Sequence, residues 1–172
     1  MIPDREVQFS SPQRSLIFQA QNEAEARTSK YYCIPPFRWE QLRYDLLTQE
    51  DHGWEPLPDS KLARVRRLQS IAPKPIDFYR IELSDGSILE VATRENLIKD
   101  LYPFFVCILT HEMVHMVRLS SILDEQPEVT IQDAENEEQR VQNVSSRILA
   151  GSSAYEQILG KLSNAELIRT SE

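Results

Sequence analysis

The chain has no apolar run long enough to cross a bilayer. Its longest, residues 101–109, supplies about half of the ~20 residues a transmembrane helix needs, and Thr110, His111 and Glu112 follow at once. That run is therefore expected in the core, with no membrane partner. Cysteine is scarce: Cys33 and Cys107 are too few for a disulfide framework in 172 residues and stand at no metal-ligand spacing, so both are expected as reduced thiols. Cys107 precedes His111 by one helical turn, yet reads as a buried small apolar side chain. Positive charge is also in deficit. With 19 basic against 27 acidic residues and a net charge of -8, a nucleic-acid footprint and attraction to anionic lipid are not expected. Residues 1–6 carry charge where a secretory leader would be apolar, which makes the cytoplasm the expected compartment.

What is present suffices for one domain. A chain of 172 residues, 41% of them hydrophobic, can bury a core of its own, and the expected domain spans 1–172 with residues 1–14 as a poorly ordered arm. A short helix is expected around Ser15–Ala26. Beyond Pro35-Pro36, Trp39, Leu42, Leu46 and Leu47 recur at helical spacing and predict an amphipathic helix over 37–49. Residues 51–58 read as a loop. Asp59 or Ser60 then caps a helix burying Leu62, Val65 and Leu68, which Pro73 and Pro75 end; Lys61, Arg64, Arg66 and Arg67 form its solvated face.

The period changes at Tyr79, Ile81 and Leu83, which alternate with Arg80 and Glu82; turn residues 84–87 and the apolar Ile88, Leu89 and Val91 complete a predicted β-hairpin over 78–92. Thr93 caps a short helix through Lys99. Pro103 then fits the first turn of a long helix to about Leu123. After the acidic residues 124–136, Thr130 with Asp133 opens a helix carrying Val141, Val144, Ile148 and Leu149, stopped by Gly151. Ser153 with Glu156 opens a last one, with Tyr155, Ile158, Leu159 and Leu162 on one face. The expected fold class is α+β: mainly helical, with one small antiparallel sheet.

Chemistry concentrates in one stretch, Thr110-His111-Glu112-Met113-Val114-His115. Histidines four apart on a helix project from one face and can meet a single tetrahedral cation, here one zinc ion. Glu112, about 100° round the helix from His111, is placed to reach the metal's water and not to ligate. Zinc lowers the pKa of such a water to roughly 7, and a neighbouring carboxylate can then take its proton as it attacks a polarised carbonyl. The expected reaction is amide hydrolysis. Two of the chain's three histidines are spent here, in a helix so apolar that His and Glu need a partner to be buried cheaply.

This segment resembles the active-site helix of the HExxH zinc metallopeptidases, the zincins. The metzincin branch is excluded, because its glycine and third histidine are replaced by Arg118 and Ser121. The gluzincin branch takes its third ligand from a glutamate on a downstream helix, and the chain is similar in order and size to the minimal gluzincins. Repressor-cleaving peptidases of that general type usually carry glycine before the second histidine; Val114 departs from this, so their substrate is not carried over. The resemblance implies an active-site helix packed on a glutamate helix, with Glu137 as third ligand because it continues the stripe of Val141, Val144 and Ile148. Glu138, about 100° away, is the alternative, and Glu135 points elsewhere. Tyr155, Tyr79 and Arg118 are weaker candidates for stabilising an oxyanion or binding substrate, and the hairpin at 78–92 is the expected supplier of a strand that pairs with peptide. His52 is too isolated to count as a ligand. The expected partner is a peptide or protein substrate; the competing expectation is a non-catalytic regulatory or protein-binding domain, with structural zinc or no metal.

Overall fold

A computed structural model describes residues 7–52, 57, 61–68, 78–120 and 133–164. The chain is a mainly helical α+β domain, and among the described residues its one sheet has three strands.

Helix α1 (Ser11–Tyr31) starts at a reciprocal cap: the Ser10 hydroxyl accepts the Gln13 N–H, and the Gln13 side chain accepts the Ser10 N–H at 2.8 Å. Phe9, just before it, is buried edge-on against Phe105. Residues 11–14 are thus helical, not part of an arm, and α1 outruns the helix expected at Ser15–Ala26 at both ends. Its buried stripe is Ile17, Ala20, Ala24 and Thr28. Ala20 and Ala24 are small enough for the neighbouring helix to approach closely, but with Thr28 they leave little hydrophobic periodicity to read.

The region expected as helix 37–49 divides into a single turn, α2 (Pro36–Trp39), a strand, β1 (Arg43–Leu47), and another turn, α3 (Gln49–His52). The next expected helix is also a strand, β2 (Ala63–Leu68), whose proposed caps Asp59 and Ser60 and stops Pro73 and Pro75 lie outside the described residues. Strand β3 (Phe78–Leu83) is central, parallel to β1 and antiparallel to β2, so the sheet is mixed, not antiparallel. Tyr44, Leu46, Ala63, Val65, Tyr79, Ile81 and Leu83 share one face by register and belong to the core. On the opposite face Arg64 and Arg66 donate to the buried Glu82 at 2.7 and 2.8 Å, and Arg80 holds Asp45 through two 3.1 Å bonds. Of the basic cluster, Arg64 and Arg66 therefore share a strand face and a counter-ion, whereas Arg67 pairs with Tyr79 and falls on the other face, and Lys61 precedes the strand. Burial alone would raise the Glu82 pKa, but the two guanidinium groups more than offset it and hold the carboxyl below its ordinary value.

The expected hairpin ends at its first strand. Residues 85–94 form helix α4 (Asp85–Arg94), with Ile88, Val91 and Ala92 buried. Asp85 is not a turn residue: its fully buried carboxylate accepts the Phe9 and Gln49 N–H groups, each at 3.0 Å, tying the N-terminal segment and α3 to α4. Asn96 turns the chain with φ +56, and a 3₁₀ turn (Ile98–Asp100) replaces the rest of the helix expected at 93–99.

Helix α5 (Leu101–Leu119) runs through the centre and packs on α1, on β2, and on the last two helices, α6 (Asp133–Leu149) and α7 (Ser153–Asn164). The residue capping α6 in the sequence reading, Thr130, lies outside the described residues. Gly151, at φ +90, takes the left-handed conformation that ends α6. None of the described helices is long and apolar enough to cross a membrane.

Candidate metal centre

Nearly all of α5 before Thr110 is buried, so the helix cannot rotate without exposing aromatic and aliphatic side chains. Its fixed orientation directs His111 and His115 toward α6. The rings lie edge to face, centroids 4.9 Å apart. Facing them is Glu138: one carboxylate oxygen is 2.8 Å from His111 Nε2 and the other 2.9 Å from His115 Nε2. One ligand atom from each of these three residues falls within 4.8 Å of the other two.

The spacing can be tested against a cation. Zinc lies ~2.0–2.2 Å from imidazole nitrogen and carboxylate oxygen, so tetrahedral ligand atoms are about 3.3–3.5 Å apart. Opening each of the 2.8 and 2.9 Å contacts by roughly 0.5 Å brings it to that spacing. The three side chains are 21–26% exposed, so a cation or a water can reach them.

The electrostatics also favour a cation. Burial would raise the Glu138 pKa, but hydrogen bonds from His111 and His115 outweigh it and hold the carboxyl far below its usual range. For His115, burial acts downward, and the Glu138 hydrogen bond with the charges of Glu112, Glu138 and Glu137 lifts the imidazole above its ordinary value. The His115 imidazole thus sits in a field set by three carboxylates.

Glu137, the ligand favoured by the sequence pattern, goes elsewhere. Its carboxylate is gripped by the Arg118 guanidinium, Oε1 against Nε and Oε2 3.0 Å from Nη2. The reason lies in α6. Its buried side is Val141, Ser145, Ile148 and Leu149, whereas Val144 is only partly buried. At about 100° per residue the centre of that set lies about 35° from Glu138 and about 65° from Glu137. Ser145 hides this from a hydropathy reading: it is polar, but its hydroxyl donates to the Val141 carbonyl at 2.7 Å, so it can be buried.

The remaining candidates separate. Glu112 is 7% exposed on α5, between the histidines in sequence. Arg118 shares the histidine face but is committed to Glu137. Tyr155 lies on α7 against α1, its hydroxyl 3.4 Å from Glu23 and its ring 4.9 Å from the Arg27 guanidinium. Tyr79 is wholly buried in the core on β3. Neither tyrosine joins the His111, His115 and Glu138 group. Cys107 is buried, and burial pushes its thiol up to about 12, which suits packing and not ligation. The side chains of His52 and Glu135 lie outside the described residues. Comparison with protein-family models, curated proteins and solved structures gives no match for this chain.

Proposed function

We propose that the chain is a zinc-dependent peptidase of gluzincin type, with His111, His115 and Glu138 as ligands and Glu112 as general base. The observation that carries this reading is the Glu138 carboxylate spanning the two Nε2 atoms at 2.8 and 2.9 Å from a separate helix. A zinc ion held there would supply a water of lowered pKa and polarise a peptide carbonyl. Glu112 takes the proton of the attacking water and returns it to the leaving amine. Glu112 is buried, 7% exposed, on the helix that carries both histidines.

A strand for peptide binding is available, although not where the hairpin was expected. Among the described residues β3 is paired on both sides, whereas β2 is an edge of the sheet and packs on α5. A peptide added to β2 would lie along the helix that carries the histidines. The alternative is a protein-binding domain without turnover, and one observation favours it: the Glu138 carboxylate is within hydrogen-bond distance of the Nε2 of each imidazole, a pairing that itself joins α5 to α6. Incubating zinc-loaded chain with a diverse peptide pool separates the two. Peptidase activity predicts new termini by mass spectrometry with the native chain and none with Glu112→Gln, both proteins carrying equal zinc. No cleavage by the native chain, or equal cleavage by Glu112→Gln, sinks the catalytic reading.

A further inference from the structure

Adjacent glutamates on α6 make different contacts, and both contacts are with α5. Glu138 meets His111 and His115, while Glu137 meets Arg118. Residues 111, 115 and 118 share one face of α5, so the two carboxylates address successive turns of the same surface. Neighbouring helix positions diverge by about 100°, hence Glu137 and Glu138 cannot both enter the histidine pair in one orientation of α6. Which of them does is decided by the rotation of α6 about its axis.

We propose that Arg118 and Glu137 form a positioning pair: within the rotation of α6 that its buried side sets, their two-pronged contact removes the remaining play and holds the Glu138 carboxylate on the histidines. This rests on the metal-centre reading above and adds an orienting contact to it. Arg118 suits the task because a planar guanidinium fixes direction as well as distance when both carboxylate oxygens are held. The pair is sheltered, with Arg118 and Glu137 side chains only 20% and 22% exposed, so it differs from a solvated surface bridge. Arg140 contributes little, being 3.9 Å from Glu137 and 55% exposed. Hydrophobic packing by Val114, Val141 and Ile148, with Tyr32 alongside, holds the helices together. Apolar contacts are tolerant of small rotations, which is the freedom the ion pair removes.

Arg118→Met and the isosteric Glu137→Gln, with the double variant, test this in the full chain. Removing a group that orients a metal ligand typically costs ~10–100-fold in metal affinity. Each single variant is expected to weaken zinc by that factor, and the double variant by no more than the weaker single, because the pair acts as a unit. A cobalt-loaded native chain is expected to give a visible spectrum that both singles alter in the same way. In metal-free protein, the His111 and His115 side-chain ¹⁵N resonances are expected to move toward those of hydrated imidazole in both variants. Unchanged zinc affinity with unchanged resonances in a folded Glu137→Gln chain would overturn the proposal, as would additive losses in the double variant. If the native chain binds no zinc, the metal reading fails, and the resonances alone then decide the positioning role.

Discussion

Zinc should raise the thermal stability of the domain by an amount that depends on which α6 glutamate is intact. A ligand that binds only the folded chain stabilises it by RT ln(1 + [L]/Kd), about 4 kcal/mol at a free concentration one thousand times Kd. For a chain of 172 residues, each kcal/mol moves the melting midpoint by ~2–4 °C, so the native protein should gain roughly 8–16 °C. Glu138→Ala deletes a carboxylate that both imidazoles touch, and most of that gain should vanish. Glu137→Gln keeps all three ligands but loosens their presentation. At the same zinc concentration a ten- to hundredfold weaker Kd leaves ~1.4–2.7 kcal/mol, or about 3–11 °C. Without zinc, Glu138→Ala should itself melt below the native chain, because both imidazoles lose a partner, so the zinc shift of each variant is read against its own zinc-free midpoint. Differential scanning fluorimetry with buffered zinc measures all three. An undiminished shift in Glu138→Ala, or none in the native chain, would refute the ligand assignment.

Three further outcomes follow from the fold. Asp85→Ala strands the Phe9 and Gln49 N–H groups in the interior; at ~1–3 kcal/mol for each buried unsatisfied group, urea denaturation should show a loss of about 2–5 kcal/mol. Glu82→Gln should cost ~1–2 kcal/mol, less than the ~3–5 of a fully buried pair, because Arg64 and Arg66 are 37% and 47% exposed and can rehydrate. Since the folded Glu82 pKa is depressed, its contribution is complete above the ordinary carboxylate value and fades as pH falls through the folded one. The native chain should therefore lose more stability than Glu82→Gln between pH 5 and pH 3, as read by denaturation at each pH. Alkylation at pH 8 followed by mass spectrometry should label the exposed Cys33 quickly, and Cys107 only in denaturant, because its thiol stays protonated until about pH 12.

The elements that could be read from residues alone were those whose burial pattern is also a hydropathy pattern. α7 announces itself by apolar residues at helical spacing, α5 by a continuous apolar run with Pro103 in its first turn, and Gly151 by its place at the end of α6. β1 and β2 do not. Leu42, Leu46 and Leu47, like Leu62, Val65 and Leu68, fit a helical stripe as well as a strand, and pairing with β3 decides for the strand. The reverse happens after β3, where residues 84–87 have turn composition. Asp85 instead spends its carboxylate on two backbone N–H groups and opens α4. At the candidate site, His111 and His115 were placed by their spacing, since one α-helical turn is a local fact. The choice of Glu138 over Glu137 was not local. It follows a burial pattern that includes Ser145, while Glu137 is held by Arg118, a residue 19 positions before it.

The most direct test is the zinc retained after dialysis against metal-free buffer, measured by atomic emission on the native chain and on His111→Ala, His115→Ala and Glu138→Ala. One equivalent in the native chain, with far less in each variant while helical content is unchanged, is the predicted result. A native chain that retains none, or a Glu138→Ala chain that keeps its full equivalent, would contradict it.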